Sequence, residues 1–170
     1  PTENFRVAQG SMTTESSAEL VIPSQVRLVD LVHCAAEKMA DIAGFAAEQG
    51  LDIGLAVREA AINAIRHGNR EDSALQVRIL LEVLSDGIRV EIRDQGEGFD
   101  PDAAPDPTDE DNLLRTSGRG LLLIRAFVDD VRIEFEKGRG TTVTLVKKRQ
   151  GDGSPSEGGD GDAGRPGEES

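Results

Sequence analysis

Three polar side chains recur at one-turn spacing in the segment 51–67. Glu59, Asn63 and His67 stand at i, i+4 and i+8, so a helix would align them along one edge, beside an apolar arc. A carboxylate and an amide one turn apart can hold a hydroxyl group and can coordinate a hard cation such as Mg²⁺ through oxygen. The spacing therefore fits a site for phosphate chemistry. The polar face of an ordinary amphipathic helix explains the same spacing, and His67 also suits the helix dipole. Arg58, within the apolar arc, has no explanation in the sequence.

Asp94 is the second candidate, because it follows an alternating apolar strand. Strand parity places it on the side of the apolar row 88–92, so we expect its carboxylate to point inward. A buried carboxylate needs hydrogen-bond donors, and the exocyclic amino group of adenine can supply one. Gly96 and Gly98, before Phe99, would let the backbone approach a ligand closely. An ordinary glycine turn with an Asp cap explains the segment taken alone, but the inward parity favours a binding site.

A third candidate is the run Ser117-Gly118-Arg119-Gly120-Leu121, at the start of an apolar stretch. Free backbone N–H groups and the dipole at a helix N-terminus favour anions, so phosphates could dock there. The run is not a Walker motif, because no Gly-Lys-Ser/Thr follows at the required spacing. Its arginine could contact an anion, although a solvated loop arginine is the default interpretation.

The elements that position these residues follow from periodicity and from glycine and proline punctuation. Apolar runs predict five strands, at 19–22, 77–83, 88–94, 131–136 and 141–147. Helical periodicity predicts three helices, at 26–39, 51–67 and 120–128, with Gly68 and Asn69 as the stop signal of the second. The unpatterned stretch 100–117 resembles a lid. This order predicts an α+β fold with helices on one face of a mixed, mostly antiparallel sheet.

The amino-acid composition disfavours several classes of protein. The 170 residues are 37% hydrophobic, with five Phe and no Trp or Tyr, which predicts one domain with an aliphatic core. A formal net charge of −13 disfavours nucleic acid as a partner. The sequence has neither a membrane span nor a signal peptide, and the single Cys34 supports neither a disulfide nor a zinc site. We expect a cytoplasmic protein.

The two ends of the chain differ from the middle in composition. Residues 150–170 are almost entirely Gly, Asp, Glu, Ser and Pro, which predicts a disordered acidic tail. We interpret residues 1–18 as a flexible N-terminal segment or a cloning remnant. The domain is therefore expected to occupy 19–149.

Taken in chain order, these segments resemble the N, G1 and G2 boxes and the closing Thr of the GHKL ATPase superfamily. The matching segments are 59–68, 94–99, 118–121 and Gly140-Thr141. Within the superfamily the chain is most similar to the anti-sigma-factor serine/threonine-protein kinases, through its compact size, its Asn-Ala-Ile-x-His-Gly run and its Phe-Asp-Pro extension. Sensor histidine kinases share the boxes, but His33 lacks the acidic-residue-and-Pro context of their phosphoacceptor. The resemblance implies a Bergerat-type α/β sandwich.

The resemblance also implies a role for each matching residue. Glu59 would be the general base, Asn63 the Mg²⁺ ligand and Asp94 the acceptor for adenine. The other nucleotide-binding residues would be His67, Gly96, Gly98, Phe99, Ser117, Gly118, Arg119, Gly120, Leu121 and Thr141.

The function that the resemblance implies is an ATP- and Mg²⁺-dependent kinase acting as an anti-sigma factor. Its substrate would be a STAS-type anti-anti-sigma protein, a sigma factor would be the protein it holds inactive, and it would form a homodimer. A non-catalytic ATP-binding module that regulates by partner capture alone would carry the same boxes.

Overall fold

The structure, a computed structural model, describes residues 13–97, 117–136 and 138–149, and of 117–119 it describes the backbone only. Gly98, Phe99 and most of the predicted lid therefore lie outside the described residues. So do the acidic tail and residues 1–12.

Five strands form one sheet in the order β1-β2-β3-β5-β4. Their bounds are β1 Thr14–Pro23, β2 Gln76–Leu84, β3 Gly87–Arg93, β4 Asp130–Glu136 and β5 Gly140–Lys148. The α+β class is as predicted, but every pairing among these described strands is antiparallel, which corrects the expectation of a mixed sheet. The reason is topological: β4 runs in the direction of β3, but β5 lies between them, so the two never pair.

One face of the sheet is apolar and buried, as the alternating sequence predicts. In the register, Ile79 lies opposite Ile92 and Leu81 lies opposite Val90. The buried, inward-facing residues of β2 and β3 are Val77, Ile79, Leu81, Val83, Ile88, Val90 and Ile92. On the opposite face, Gln76 and Arg78 at the start of β2 are exposed, whereas Glu82 and Leu84 near its end are buried. The period of two thus places the β-branched residues of β2 and β3 against the helices.

The first strand is longer than its sequence predicts. It begins at Thr14 rather than Glu19, so residues 14–18 belong to the sheet and not to a flexible N-terminal segment. Their polar composition gives little strand signal, but they pair with the apolar end of β2, where Ala18 lies opposite Leu81. Pairing with a strand that is already buried overrides weak local propensity.

Three helices are described, all on the apolar face: α1 Val29–Ile42, which follows a 3₁₀ turn at Val26–Leu28, α2 Ala47–Asn63 and α3 Ser117–Phe127. Helices α1 and α2 pack closely because Gly54 has no side chain. A Cβ there would lie 2.8 Å from Cγ of Glu37 and 2.9 Å from Cε1 of His33. Within 13–97, 117–136 and 138–149, no helix combines the length and the apolarity that a membrane crossing requires.

Arg58 lies within the apolar arc of α2, where the sequence left it unexplained. Its Nε lies 3.3 Å from Oδ1 of Asp30 on α1, and its side chain is 39% exposed. The long side chain covers apolar surface with its methylene groups and carries its charge to the helix edge. It is therefore compatible with the buried face of α2.

Candidate functional site

Asp94 directly follows β3, and its side chain is buried, with 3% exposure, as strand parity predicts. Its Oδ1 accepts hydrogen bonds from the backbone N–H groups of Gly96 and Thr141, both at 3.0 Å. The backbone N–H of Asp94 in turn donates to the carbonyl oxygen of Thr141 at 3.0 Å. The loop after β3 and the start of β5 thus hold this carboxylate in one orientation.

Burial dominates the electrostatics of Asp94. Desolvation raises the pKa of this carboxyl above its ordinary value of 3.8, although hydrogen bonds from Thr141 and Gly96 and the charge of Arg93 act in the opposite direction. A further hydrogen-bond donor would stabilise this buried carboxylate, because the new hydrogen bond would offset part of the cost of its desolvation. Perturbed carboxyl groups of this kind are enriched at functional sites.

Three glycines allow backbone from three segments to close around Asp94. A Cβ on Gly68 would overlap Oδ2 of Asp94, and one on Gly96 would overlap the carbonyl oxygen of Gly68. Gly140, with a φ of +91°, lies so close that a Cβ would overlap the carbonyl oxygen of Asp94. Only residues without side chains permit this packing. The resulting cradle brings together residues that are far apart in sequence.

The end of α2 departs from the ideal helix that the sequence predicts. Residues Ala64–Gly68 form a π turn, closed by a hydrogen bond of 2.8 Å from Asn69 N–H to the carbonyl oxygen of Ala64. A π turn holds one more residue than an α-helical turn, and such turns are frequent at functional sites. His67 lies on this turn and is exposed. Gly68 is the residue that the turn brings against Asp94.

A second cluster lies farther back along α2. A Cβ on Gly120 would overlap Oε1 of Glu59 and would lie 3.1 Å from its Cδ, so the first turns of α3 rest on this carboxylate. Asn63, one turn beyond Glu59, is half-buried. From Glu59 to Gly68 the helix rises by about 13 Å, at 1.5 Å per residue. One helix thus carries both the cradle at Asp94 and the predicted base.

Helix α3 begins earlier than the sequence predicts, at Ser117 rather than Gly120. Gly118 and Arg119 accordingly lie in its first turn, where free backbone N–H groups favour an anion. Leu121 is half-buried, and Ile124, with 2% exposure, anchors the helix to the core.

The oxygens of Glu59 and Asn63 suit a hard cation. Within the described ranges no three His, Cys, Asp or Glu side chains are grouped as a metal site would require. Mg²⁺ is commonly held by one or two protein oxygens together with substrate phosphates and waters. The two side chains therefore fit a cation that a phosphate also binds.

An open cavity of about 700 Å³ lies on the opposite face of the sheet from Asp94. Its wall includes Arg78, which pairs with Glu19, and Arg93 and Arg139, which lie 3.7 Å and 3.1 Å from Glu136. These guanidinium groups are engaged by carboxylates. The carboxylate of Asp94 in the cradle on the inner face, by contrast, has no ion-pair partner among the described residues.

The sequence did not reveal the contacts of two residues at the end of α2. Gly68 was interpreted as part of the matched segment 59–68 and as a helix stop, and Asn69 only as a helix stop, because their contacts involve residues remote in the chain. Asn69 is 2% exposed and hydrogen-bonds to Ser24, 45 residues away, and to Gln95, 26 residues away.

Comparison with known proteins shows the family of this chain. Residues 22–147 match the family described as "Histidine kinase-like ATPase domain". The chain is 30% identical over 142 residues to the "Serine-protein kinase RsbW" of Staphylococcus epidermidis, covering 79% of this chain and 88% of that protein. It is 31% identical over 144 residues to the protein of the same name from Staphylococcus aureus strain JH9, covering 80% of this chain and 91% of that protein.

A solved structure, the histidine kinase domain of the blue-light activated histidine kinase from Erythrobacter litoralis EL346, matches with a TM-score of 0.48 and 22% identity. The match covers 75% of this chain and 61% of that one.

The chain belongs to the histidine kinase-like ATPase family. Within that family, the relatives above are serine-protein kinases of the RsbW type. The predicted resemblance to this family is therefore confirmed. The predicted type of enzyme, a serine/threonine-protein kinase, is supported by relatives that are named as serine-protein kinases.

Proposed function

We propose that this chain is an ATP-dependent serine/threonine-protein kinase that acts as an anti-sigma factor. The observation that carries the proposal is the buried Asp94 carboxylate, enclosed by three glycines. One of them, Gly68, ends a helix that carries Glu59 about 13 Å farther back along its axis. The relatives named as serine-protein kinases support the same function.

The adenine end of the site is supported by the contacts of Asp94. Its Oδ1 is held by backbone N–H groups, and its carboxylate lies at the apolar inner face, where a base can pack. We propose that the carboxylate accepts a hydrogen bond from the exocyclic amino group of adenine. Thr141, whose side chain also hydrogen-bonds Asp94, would complete this side. The backbone at Gly96 would border the base.

The phosphate end is supported by the contact of Glu59 with Gly120. The first turn of α3, from Ser117 to Arg119, would offer N–H donors to the phosphates, with Gly98, Phe99 and Leu121 as further predicted contacts. His67, exposed on the π turn, is proposed only at the margin of the site.

The proposed reaction requires few protein groups, since phosphoryl transfer depends mainly on positioning and charge neutralisation. Bound ATP would supply the phosphoryl group, and bound Mg²⁺ would supply positive charge that offsets the negative charge of the phosphates. Glu59 accepts the proton of a Ser or Thr hydroxyl while that oxygen bonds to the γ-phosphorus and the bond to the β-phosphate oxygen breaks. The amide oxygen of Asn63 would help to hold the Mg²⁺.

The proposed partners are a STAS-type anti-anti-sigma protein as substrate and a sigma factor as the protein held inactive. Homodimerisation and a cytoplasmic location belong to the same proposal. The support is the family resemblance together with the formal charge of −13, which disfavours direct action on nucleic acid.

The test is a phosphoryl-transfer assay with ATP, Mg²⁺ and a cognate STAS-type protein. Glu59→Gln should lower transfer by about 100-fold or more while ATP binding persists, because a general base contributes that much. Glu48→Gln, in the first turn of the same helix, is the matched control and should transfer as the wild type does.

Equal transfer by Glu59→Gln and wild type would contradict the assignment of the base. A wild type that binds ATP and its partners but transfers no phosphate would instead be a binding module that regulates by capture.

A further inference from the structure

Asn69 lies immediately after the π turn and is buried, with 2% exposure. Its Nδ2 donates to Oγ of Ser24 at 2.8 Å and to the carbonyl oxygen of Gln76 at 2.9 Å, and its Oδ1 accepts from the backbone N–H of Gln95 at 2.8 Å. The orientation of the amide is unambiguous. A flipped group would set its NH₂ against the N–H of Gln95 and its oxygen against the carbonyl of Gln76.

The partners of Asn69 are themselves fixed. Ser24 donates through both its N–H and its Oγ to the carbonyl oxygen of Leu75, at 3.0 Å and 2.9 Å. Oε1 of Gln95 accepts from the backbone N–H of Gln76 at 2.7 Å. Gln95, the neighbour of Asp94, is therefore held through its backbone by Asn69 and through its side chain by β2. Ser24 and Asn69 are buried, whereas Gln76 and Gln95 lie at the surface. A polar network whose buried members are fully satisfied favours one local conformation.

We propose that Asn69 is the positioning residue of base recognition, fixing the segment 94–96 so that Asp94 presents its acceptor in one place and favours adenine over guanine. This inference rests on the proposed function. Asn69 does not touch the base in this arrangement; it acts through the N–H of Gln95. Guanine carries a carbonyl oxygen where adenine carries an amino group, so a rigid acceptor at that point rejects guanine.

A purely structural role predicts something different. If Asn69 only stabilised the packing of these segments, its loss would lower the melting temperature and would reduce the affinity for ATP and GTP by the same factor. A positioning role predicts a change in the ratio of ATP to GTP affinity, because a loosened acceptor discriminates less. The ratio is therefore the decisive quantity.

The experiment measures ATP and GTP affinities by titration calorimetry, and melting temperatures without nucleotide, for the full chain and three variants. Asn69→Ala removes all three hydrogen bonds. Asn69→Asp keeps an acceptor for Gln95 N–H but loses the donor to Gln76. Ser24→Ala removes one acceptor of the Asn69 amide and leaves the contact with Gln95 in place.

We expect Asn69→Ala to lose about tenfold in ATP affinity, with a similar fall in the ATP-to-GTP ratio, because the hydrogen bond from adenine to a loosened Asp94 is worth about that much. Asn69→Asp and Ser24→Ala should keep the ratio of the wild type even where they lower the melting temperature. An unchanged ratio in Asn69→Ala, or an equal fall in Asn69→Asp, overturns the positioning role. Failure of the wild type to bind ATP overturns the proposed function itself, and this inference with it.

A measurement on the wild type covers the case in which Asn69→Ala does not fold. Amide hydrogen exchange at Gln95 in the nucleotide-free protein should be slow, because its N–H is bonded to a buried oxygen. Exchange at the rate of an unprotected peptide amide would show that the segment is not fixed before the nucleotide binds, and would overturn the inference.

Discussion

Asp94 and Thr141 are joined by two reciprocal hydrogen bonds. The N–H of Asp94 donates to the carbonyl oxygen of Thr141, and the N–H of Thr141 donates to Oδ1 of Asp94, each at 3.0 Å. Because β3 and β5 are neighbours in the sheet, the direction of the carboxylate is set by paired strands and not by a loop alone. Groups held by such rigid elements are preorganised for a ligand.

Asp94→Asn tests this arrangement directly. The amide oxygen can still accept from Gly96 and Thr141, but the second oxygen becomes an NH₂ group that cannot accept from adenine. We expect ATP affinity to fall by about 2 kcal/mol, as for the loss of a charged hydrogen-bond partner. Titration calorimetry measures the change. Asp86→Asn, in the exposed turn between β2 and β3, is the control, and equal ATP affinity in the two variants would remove Asp94 from the site.

The pH dependence of stability follows from the same burial. The folded pKa of Asp94 is raised above 3.8, so between pH 3.8 and the folded pKa the folded state binds more protons than the unfolded state. The contribution of this group to stability is full below that window and is lost as the pH rises through it. The unfolding free energy of the wild type minus that of Asp94→Asn should therefore decrease from acid to neutral pH. Urea titrations across this range measure it, and a constant or increasing difference would contradict the shift.

Periodicity in the sequence was enough to predict the sheet strands and the inward direction of Asp94. A period of two assigns each residue to a face without knowledge of the partner strand, which is why Ile88, Val90 and Ile92 are buried as predicted. The antiparallel pairing throughout depends instead on β5 lying between β3 and β4, which no local pattern specifies.

Other parts of the site depend on contacts between distant residues. The π turn changes the phase of α2 after Asn63, which an ideal helical period does not represent. Gly68 has no side chain, and its close approach to Asp94 is visible only in three dimensions. Asn69 is typical of a helix stop in sequence, while its hydrogen bonds with Gln95 appear only in three dimensions.

Gly120→Ala tests the contact between α3 and the proposed base. The added Cβ would overlap Oε1 of Glu59, and this carboxylate is the end of a flexible side chain that can move aside. We expect a change in unfolding free energy below about 1 kcal/mol but a fall in phosphoryl transfer of about tenfold or more. Leu122→Ala, an exposed position two residues on, is the control. Full activity in Gly120→Ala would show that the position of Glu59 is not critical.

Gly140→Ala tests whether the close approach of β5 to Asp94 is required. Gly140 has a φ of +91°, and an added Cβ would overlap the backbone carbonyl of Asp94, which cannot move without distorting β3. Two costs therefore combine: about 1–2 kcal/mol for a side chain at positive φ and about 1–3 kcal/mol for overpacking. We expect a loss of about 3 kcal/mol in unfolding free energy, with ATP binding weakened as well.

Gly138→Ala separates these two costs. Gly138 also has a positive φ, of +75°, but a Cβ there would meet nothing within 4 Å. It should therefore lose only the conformational part, about 1–2 kcal/mol, and should bind ATP as the wild type does. Chemical denaturation of both variants, with ATP titrations in parallel, compares them. Equal losses in the two would mean that β5 can shift away from Asp94, and that the close approach at Gly140 does not hold the carboxylate in place.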